Sequence, residues 1–453
     1  MLRRRRPFEG SDGFGGFRRK VPSRPKFGRM RRQPFASDAR PLLDASHVQA
    51  VLTAAGVRAE HTRRVLKRVL RAPLLHASSS SAASSRFDVR AATREALAAM
   101  PNLPPATAEA VSSQCVVYTS RVVQAERSAD RSTTKLLIEL HDGNLIETVL
   151  IQTPSLPGRP SRVTLCVSSQ VGCRMGCRFC ATGLMGERGN LSAGEILEQV
   201  CHARRWATPR NIVFMGMGEP LNNYEAVRDA LRTLTDEHLF YVAPSHITVS
   251  TVGVIPKMEE LARDHPEVSL ALSLHAPDQK LRRALLPSAR QYPLDDLLAS
   301  VDAITAGGRR TVQIEYTVLD GVNDSEEHAR QLGLLLRGRR VYVNLIPYNH
   351  NPELRFSFRP PSEQQECWSV RQMQAVLQEM GVPVTVRTER GADIASACGQ
   401  LSVKSRGTTF ESGSACSVAN AVDGTAAQMQ GPNLLIPDYS LPIWKAQGSL
   451  ANL

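Results

Sequence analysis

Cys173, Cys177 and Cys180 stand in the run Cys173-Arg174-Met175-Gly176-Cys177-Arg178-Phe179-Cys180, a C-x3-C-x2-C spacing. Thiolates this close together bind iron or zinc, and either metal ordinarily takes four ligands. Only three cysteines are local. On a four-iron cluster, three protein ligands leave one iron open, and an open iron can bind a substrate. A zinc ion would instead need a fourth ligand from elsewhere, such as Cys166 or His202. Spacing of C-x3-C-x-aromatic-C favours the cluster.

Further polar groups recur at similar places. The run Met215-Gly216-Met217-Gly218-Glu219-Pro220 follows a short apolar stretch. Glycines there let backbone approach a ligand, and a carbonyl or Glu219 can accept from an ammonium. By itself such a Gly- and Pro-rich run more often only turns the chain. Ser250, then Ser273-Leu274-His275, then Asn349 end later apolar stretches. A lone histidine is ordinarily a structural hydrogen-bonder, but one at the C-terminal end of a parallel strand stands where such folds place active sites. Cys166, seven residues before Cys173, and Cys398, in Ala395-Ser396-Ala397-Cys398-Gly399-Gln400-Leu401, are conspicuous as well. Cys115, Cys201, Cys367 and Cys416 read as small core residues.

The elements that must position these groups are legible as a repeat. From Arg162 onward, apparent strands at 163–167, 211–214, 247–251, 268–274, 311–318, 341–346 and 384–387 alternate with helical segments. The helix at 192–206 opens on Ser192 and Glu195, spaced as a capping box, and others run over 293–305, 325–337 and 363–380. Strict alternation argues a parallel sheet, open or curled into a barrel. Ahead of it, 136–140 and 145–151 flank Asp142-Gly143 as a hairpin. Earlier still, apolar residues at helical spacing over 41–71, a Ser-rich linker at 78–85 and two further helices at 89–100 and 106–113 make a small helical module. The expected divisions are a basic arm (1–40), the helical module (41–130), the barrel with its hairpin (131–404) and a largely disordered tail (405–453).

Bulk properties narrow the class. No run of eighteen apolar residues offers a membrane span, and no short apolar segment follows the N-terminal arginines as a secretory signal would. Nine cysteines in 453 residues are too few for a disulfide scaffold, so three together point to a metal site. The net charge of +13 is uneven: residues 1–40 carry thirteen basic against three acidic residues, leaving only +3 on the other 413. That arm, with five Phe among its arginines, reads equally as a solvated tail, a nucleic-acid contact or an organelle transit peptide.

Here a specific likeness emerges. The stretch Thr164-Leu165-Cys166-Val167-Ser168-Ser169-Gln170-Val171-Gly172-Cys173 resembles the RlmN/Cfr family of radical-SAM RNA methylases. So do Gly216-Met217-Gly218-Glu219-Pro220-Leu221-Asn222-Asn223, Ser273-Leu274-His275-Ala276, Asn344-Leu345-Ile346-Pro347-Tyr348-Asn349 and Ala397-Cys398-Gly399-Gln400-Leu401. The likeness covers roughly residues 135–402, in order. It implies an α/β fold, a partial (β/α)6-type radical-SAM barrel with a small N-terminal helical domain and a preceding β-hairpin. Its cofactors would be a [4Fe–4S] cluster on Cys173, Cys177 and Cys180, and S-adenosylmethionine (SAM), two per turnover, bound by Gly218, Glu219, Ser250, Ser273, Leu274, His275 and Asn349.

By the same resemblance, one SAM methylates Cys398. A second is cleaved to a 5′-deoxyadenosyl radical, which takes hydrogen from that S-methyl group. The carbon radical adds to adenine carbon 2, Glu147 serves as general base, and Cys166 attacks the Cys398 sulfur to form a disulfide and release methylated RNA. Without the likeness, Glu147 would read as an exposed hairpin carboxylate. The implied substrate is an adenosine in large-subunit rRNA, with tRNA left open as a second. An electron donor such as flavodoxin or ferredoxin, a monomeric state, no membrane, and a cytoplasmic or organelle-matrix location complete the expectation. Methylation at carbon 8, or a cluster protein that binds RNA without catalysis, are the alternatives; Cys166, Cys398 and Glu147 together argue against the second.

Overall fold

The apolar runs after Arg162 are short and rich in Val, Ile and Leu, a composition that suits strands covered on both faces. In the computed structural model they become the parallel part of one ten-stranded sheet. The structure describes residues 32–35, 40–58, 60–71, 97, 105–155, 160–308, 310–351, 354 and 366–403. In chain order, β1 (Arg40–Pro41) and β2 (Cys115–Val116) pair briefly with each other. Then come β3 (Arg121–Arg127), β4 (Thr133–Glu139), β5 (Leu145–Thr153), β6 (Arg162–Cys166), β7 (Gln170–Cys173) and β8 (Gly186–Asn190). The remainder are β9 (Asn211–Phe214), β10 (Ile247–Thr251), β11 (Ser269–Ser273), β12 (Val312–Val318), β13 (Val341–Pro347) and β14 (Val384–Val386).

The main sheet runs β14-β13-β12-β11-β10-β9-β6-β5-β4-β3. From β6 to β14 every pairing is parallel, while β3 to β6 pair antiparallel. Mixed α/β architecture with antiparallel strands leading into a parallel sheet is as the sequence implies. Two details differ. The parallel part has seven strands, one more than a (β/α)6 unit, because β14 adds to the edge. The hairpin is three-stranded: β3 falls inside the stretch assigned to the helical module, so the sheet begins at Arg121 rather than at 131. Its sequence, Arg-Val-Val-Gln-Ala-Glu-Arg, is mostly exposed and carries no apolar alternation to betray an edge strand.

Helices cover the parallel strands. Ala193–Ala203 begins on the Ser192/Glu195 capping box, with both reciprocal bonds formed. Leu294–Thr305, Glu326–Leu336 and Glu366–Glu379 match the segments read from periodicity within three residues at each end. Of the helical module, Ala45–Ala54, Glu60–Arg71 and Pro105–Gln114 are described. Arm residues 1–31, the Ser-rich linker, most of 89–100, residues 156–159 and the tail from 405 lie outside the described residues. No described helix is long and apolar enough to cross a membrane. Cys115 and Cys201 are buried in the core, as their apolar flanks suggest.

Part of the 1–40 arm, residues 32–35, is anchored to the folded body. Arg32 Nε donates to Asp142 Oδ2 at 2.6 Å, and its Nη2 to Glu195 Oε1 at 2.6 Å. Phe35 stacks on His141 at 3.9 Å. The Glu195 and Asp142 side chains have no exposure and that of Arg32 has 11%. Removing one partner of so buried a pair strands the other charge, a cost of about 3 kcal/mol. Arg32→Ala should therefore lower the thermal midpoint by several degrees; an unchanged melting curve would show the contact to be idle.

Candidate active site

Strand register sets the first part of the site. Cys166 pairs with Val149, and Glu147 lies two residues before Val149 on β5, so both side chains share one face of the sheet. Lys135 on β4 pairs with Val149 and joins that face. Its Nζ is 3.6 Å from Glu147 Oε1. Far from being the exposed carboxylate that a hairpin suggests, Glu147 is 4% exposed. Burial pushes its pKa up to about 7, although Lys135 pulls the other way. One oxygen, Oε2, is buried without a hydrogen-bond partner. A carboxylate that takes and returns protons near neutral pH is what this environment makes.

The cysteine triplet follows on a loop braced by β7 and β8. That pair escaped the sequence reading because Gly186-Glu187-Arg188-Gly189-Asn190 has no apolar signal. At Gly172 (φ +74°) an added Cβ would sit 1.9 Å from the Gly186 carbonyl oxygen, so only glycine lets the two strands meet there. Burial, and then the neighbouring thiols, push Cys177 well above the usual thiol range. Cys173 rises to about 12, also through burial first. Three neighbouring thiols ionise together only when a cation compensates their charge, which suits a metal cluster. Among the described residues no three His, Cys, Asp or Glu side chains converge on a single ion. The fourth zinc ligands considered from sequence are engaged elsewhere: His202 bonds Ser120 Oγ at 3.0 Å and stacks on Tyr118 at 4.9 Å. Cys166 lies with Cys398 instead.

A cavity opens beside the loop at the C-terminal ends of the parallel strands. Cys177 and Cys180 line it, together with Gly218, Glu219, Ser250, Ser273, His275, Asn349 and Cys398. Cys166, Cys173 and Glu147 do not reach its wall, and neither does Leu274, which is wholly inside the core with its N–H bonded to the Glu315 carbonyl. Gly218 (φ +104°) packs so tightly on Gln170 that a Cβ would lie 2.6 Å from the Gln170 Cβ. The Glu219 oxygens already accept from Leu221 N at 3.0 Å and Val252 N at 2.9 Å, so this carboxylate also ties two loops together. Burial raises its pKa.

His275 sits at φ +56°, a left-handed conformation that a non-glycine residue adopts only when its surroundings hold it there. Its Nδ1 accepts from Thr317 N at 2.9 Å, which leaves the proton on Nε2. Burial, then Arg282, pulls its pKa down to about 3, so the ring stays neutral. Asn349 donates from Nδ2 to the Cys398 carbonyl at 3.1 Å. Its Oδ1 is buried with no partner in a residue that lines the cavity, and an amide oxygen is an acceptor suited to an amino group of a ligand. These features fit SAM at this cavity and a cluster at its mouth.

Cys398 is delivered by the segment after β14. Lys135 Nζ donates to the Ile394 carbonyl at 2.6 Å on the hairpin side. Ala181 N donates to the Gly399 carbonyl at 2.7 Å on the side of the triplet loop, and Gln400 Nε2 to the His350 carbonyl at 2.8 Å. Cys398 is thus pinned between the cluster loop and the sheet face bearing Cys166 and Glu147. Burial first and then Cys398 push Cys166 up to about 12. Sequence reading missed several residues that hold this frame. Gln170 Oε1 accepts from Glu219 N at 2.8 Å, Gln199 clamps Ser168 N at 2.8 Å, and Arg387 lines the cavity along with Cys398. Amides and arginines near turns carry no spacing signal.

A cysteine triplet of which two members line a cavity at the strand ends suits a radical SAM protein, and the Radical SAM superfamily matches residues 167–332. A crystal structure of a radical SAM methyltransferase from Sphaerobacter thermophilus shares the fold, with a TM-score of 0.68 and 37% identity, covering 80% of this chain and 99% of that one. Membership of the superfamily implies a [4Fe–4S] cluster and SAM. A probable dual-specificity RNA methyltransferase RlmN from Desulforudis audaxviator is 43% identical over 70% of this chain and 96% of its own length. A ribosomal RNA large subunit methyltransferase N from Nitrosopumilus maritimus is 44% identical over 60% of this chain and 78% of its own. The chain belongs to the RlmN-type family of radical SAM RNA methyltransferases.

Proposed function

We propose that this enzyme methylates carbon 2 of an adenosine in large-subunit rRNA and in tRNA, through a methyl group carried on Cys398. Cys173, Cys177 and Cys180 would hold the cluster, and Gly218, Glu219, Ser250, Ser273, His275 and Asn349 would hold SAM. When bound, these cofactors supply the one-electron chemistry that activates an S-methyl carbon, fed by an external donor of flavodoxin or ferredoxin type. Adenine carbon 2 is too electrophilic for polar methyl transfer, which is why the protein needs a carrier thiol.

The observation that supports this reading most is Cys398 lining the same cavity as Cys177 and Cys180, while also near Cys166. Cys398 holds the methyl carbon toward the cavity. Once that carbon is bonded to the nucleobase and the unpaired electron left on the ring has passed to a one-electron acceptor of the kind the cofactors would supply, Glu147 would take the proton from adenine carbon 2. Cys166 then attacks the Cys398 sulfur: the S–S bond forms, the C–S bond breaks, and its electron pair stays with the carbon, which takes a proton to become methyl. An unstacked adenine in a loop or in partly unfolded RNA suits such a pocket.

Nucleoside mass spectrometry of rRNA and tRNA from cells with and without the gene tests the substrate. The expected result is loss of 2-methyladenosine from both pools. Unchanged 2-methyladenosine overturns the assignment, and loss of 8-methyladenosine instead moves the reaction to carbon 8.

A further inference from the structure

Strand register draws a row of side chains across the sheet. Glu126 on β3 pairs with Lys135 on β4, Lys135 with Val149 on β5, and Val149 with Cys166 on β6. Directly opposed residues share a face, so Lys135 stands on the face that bears Cys166 and Glu147. A lysine in a hairpin ordinarily carries its ammonium out to water. This one is mostly buried, and three oxygens surround its Nζ. It donates to the Ile394 carbonyl at 2.6 Å and lies 3.4 Å from Glu126 Oε2 and 3.6 Å from Glu147 Oε1. An ammonium carries three protons, and here the acceptors around it come from three separate segments of the chain.

Ile394 stands shortly before Cys398, in a segment closely seated on the hairpin. Asp393 Oδ2 accepts from Ala129 N at 2.8 Å, and a Cβ on Gly391 would lie 2.8 Å from Thr133 Cγ2. Ala395 is held at φ +48°, directly after the carbonyl that Lys135 binds. A buried lysine can be no more than a packing element. Lys135, however, meets both the carboxylate assigned to proton removal and the segment that carries the thiol.

We propose that Lys135 is the positioning residue of the site, its ammonium pinning the Glu147 carboxylate to the sheet face and to the segment that carries Cys398. This inference rests on the roles proposed above for Glu147 and Cys398. Glu147 is buried, and a cation beside it favours the charged, proton-accepting form against that burial. The other titratable groups on this face are Glu126, which opposes Lys135, and the Cys166 thiol. Asp393 of the covering segment is bonded instead to Ala129 N.

The test compares Lys135→Met, Lys135→Gln and Lys135→Arg with wild type as cluster-loaded protein. Single-turnover methylation of large-subunit rRNA from cells without the gene is followed across neutral and mildly alkaline pH. Without the cation, the rise in rate with pH should move up by about one unit in Met and Gln, a loss of about tenfold near neutrality that closes at higher pH. Hydrogen exchange of the 391–398 amides should quicken by about tenfold in the same two variants. Lys135→Arg should stay within about threefold of wild type in both measurements. A loss that is equal at every pH would mark a packing role and overturn the inference, as would unchanged exchange or an Arg variant as impaired as Met. A pH rise that survives in Glu147→Gln overturns the base role itself, and the Lys135 inference with it. The Gln variant reads the outcome if Met fails to fold.

Discussion

Replacing Glu147 with Gln is expected to reduce RNA methylation by roughly a hundred- to ten-thousandfold, the range that a positioned general base supplies. The amide keeps the shape of the side chain and the contact to Lys135 but cannot accept a proton. The buried, partnerless Oε2 is the atom at stake. Formation of the cluster should be unaffected, since Glu147 is not among the residues lining the cavity beside Cys177 and Cys180. Single-turnover methylation of an RNA fragment measures the loss; retention of more than a tenth of the wild-type rate would remove Glu147 from the base role.

The same substitution has a pH signature. Burial raises the Glu147 pKa from 4.5 to about 7, so the base is half-available near neutrality and wild-type turnover should climb as pH rises through about 7. The Glu147→Gln variant should lack that limb. Linkage fixes the sign for stability: because the folded-state pKa is raised, wild type loses stability as pH climbs from about 4.5 toward 7, where burying the charged form is penalised. Above pH 7 the variant should therefore melt no lower than wild type, and at lower pH that advantage should disappear. A buried carboxylate kept at the expense of stability is typical of residues retained for chemistry.

How much of this was legible in the sequence divides along physical lines. The parallel strands were, because each is a short apolar run between turn residues, and the antiparallel pairing of β5 with β6 then brings Cys166 and Glu147 to one face. Most of the cavity-lining residues expected from the resemblance do face the cavity, Ser250, Ser273, His275 and Asn349 among them. Leu274 does not: it lies just past the end of β11 with its side chain wholly inside the core. What stayed hidden were groups whose partners are distant in the chain. The burial of Glu147 depends on Lys135 and on the segment after Gly391 folding over it. Arg32, read as one of many arm charges, binds the helix N-terminus at Glu195, 163 residues away.

The central claim is that the triplet and the Cys398/Cys166 pair are two thiol sites with separate tasks, one generating reactivity and one carrying and releasing the methyl carbon. Cys166→Ala isolates the release step. The variant keeps Cys398, Glu147 and the cluster ligands, and at 8% exposure Cys166 is small enough that alanine costs little packing. With no thiol to attack the Cys398 sulfur, the carbon–sulfur bond to the nucleobase cannot break, and each molecule stops after one encounter. Denaturing gel analysis and mass spectrometry of Cys166→Ala protein, purified from cells containing native RNA, is the direct measurement. The account requires protein carrying covalently attached RNA through Cys398, lost when Cys398→Ala is added; RNA-free Cys166→Ala protein beside an active wild type would contradict it.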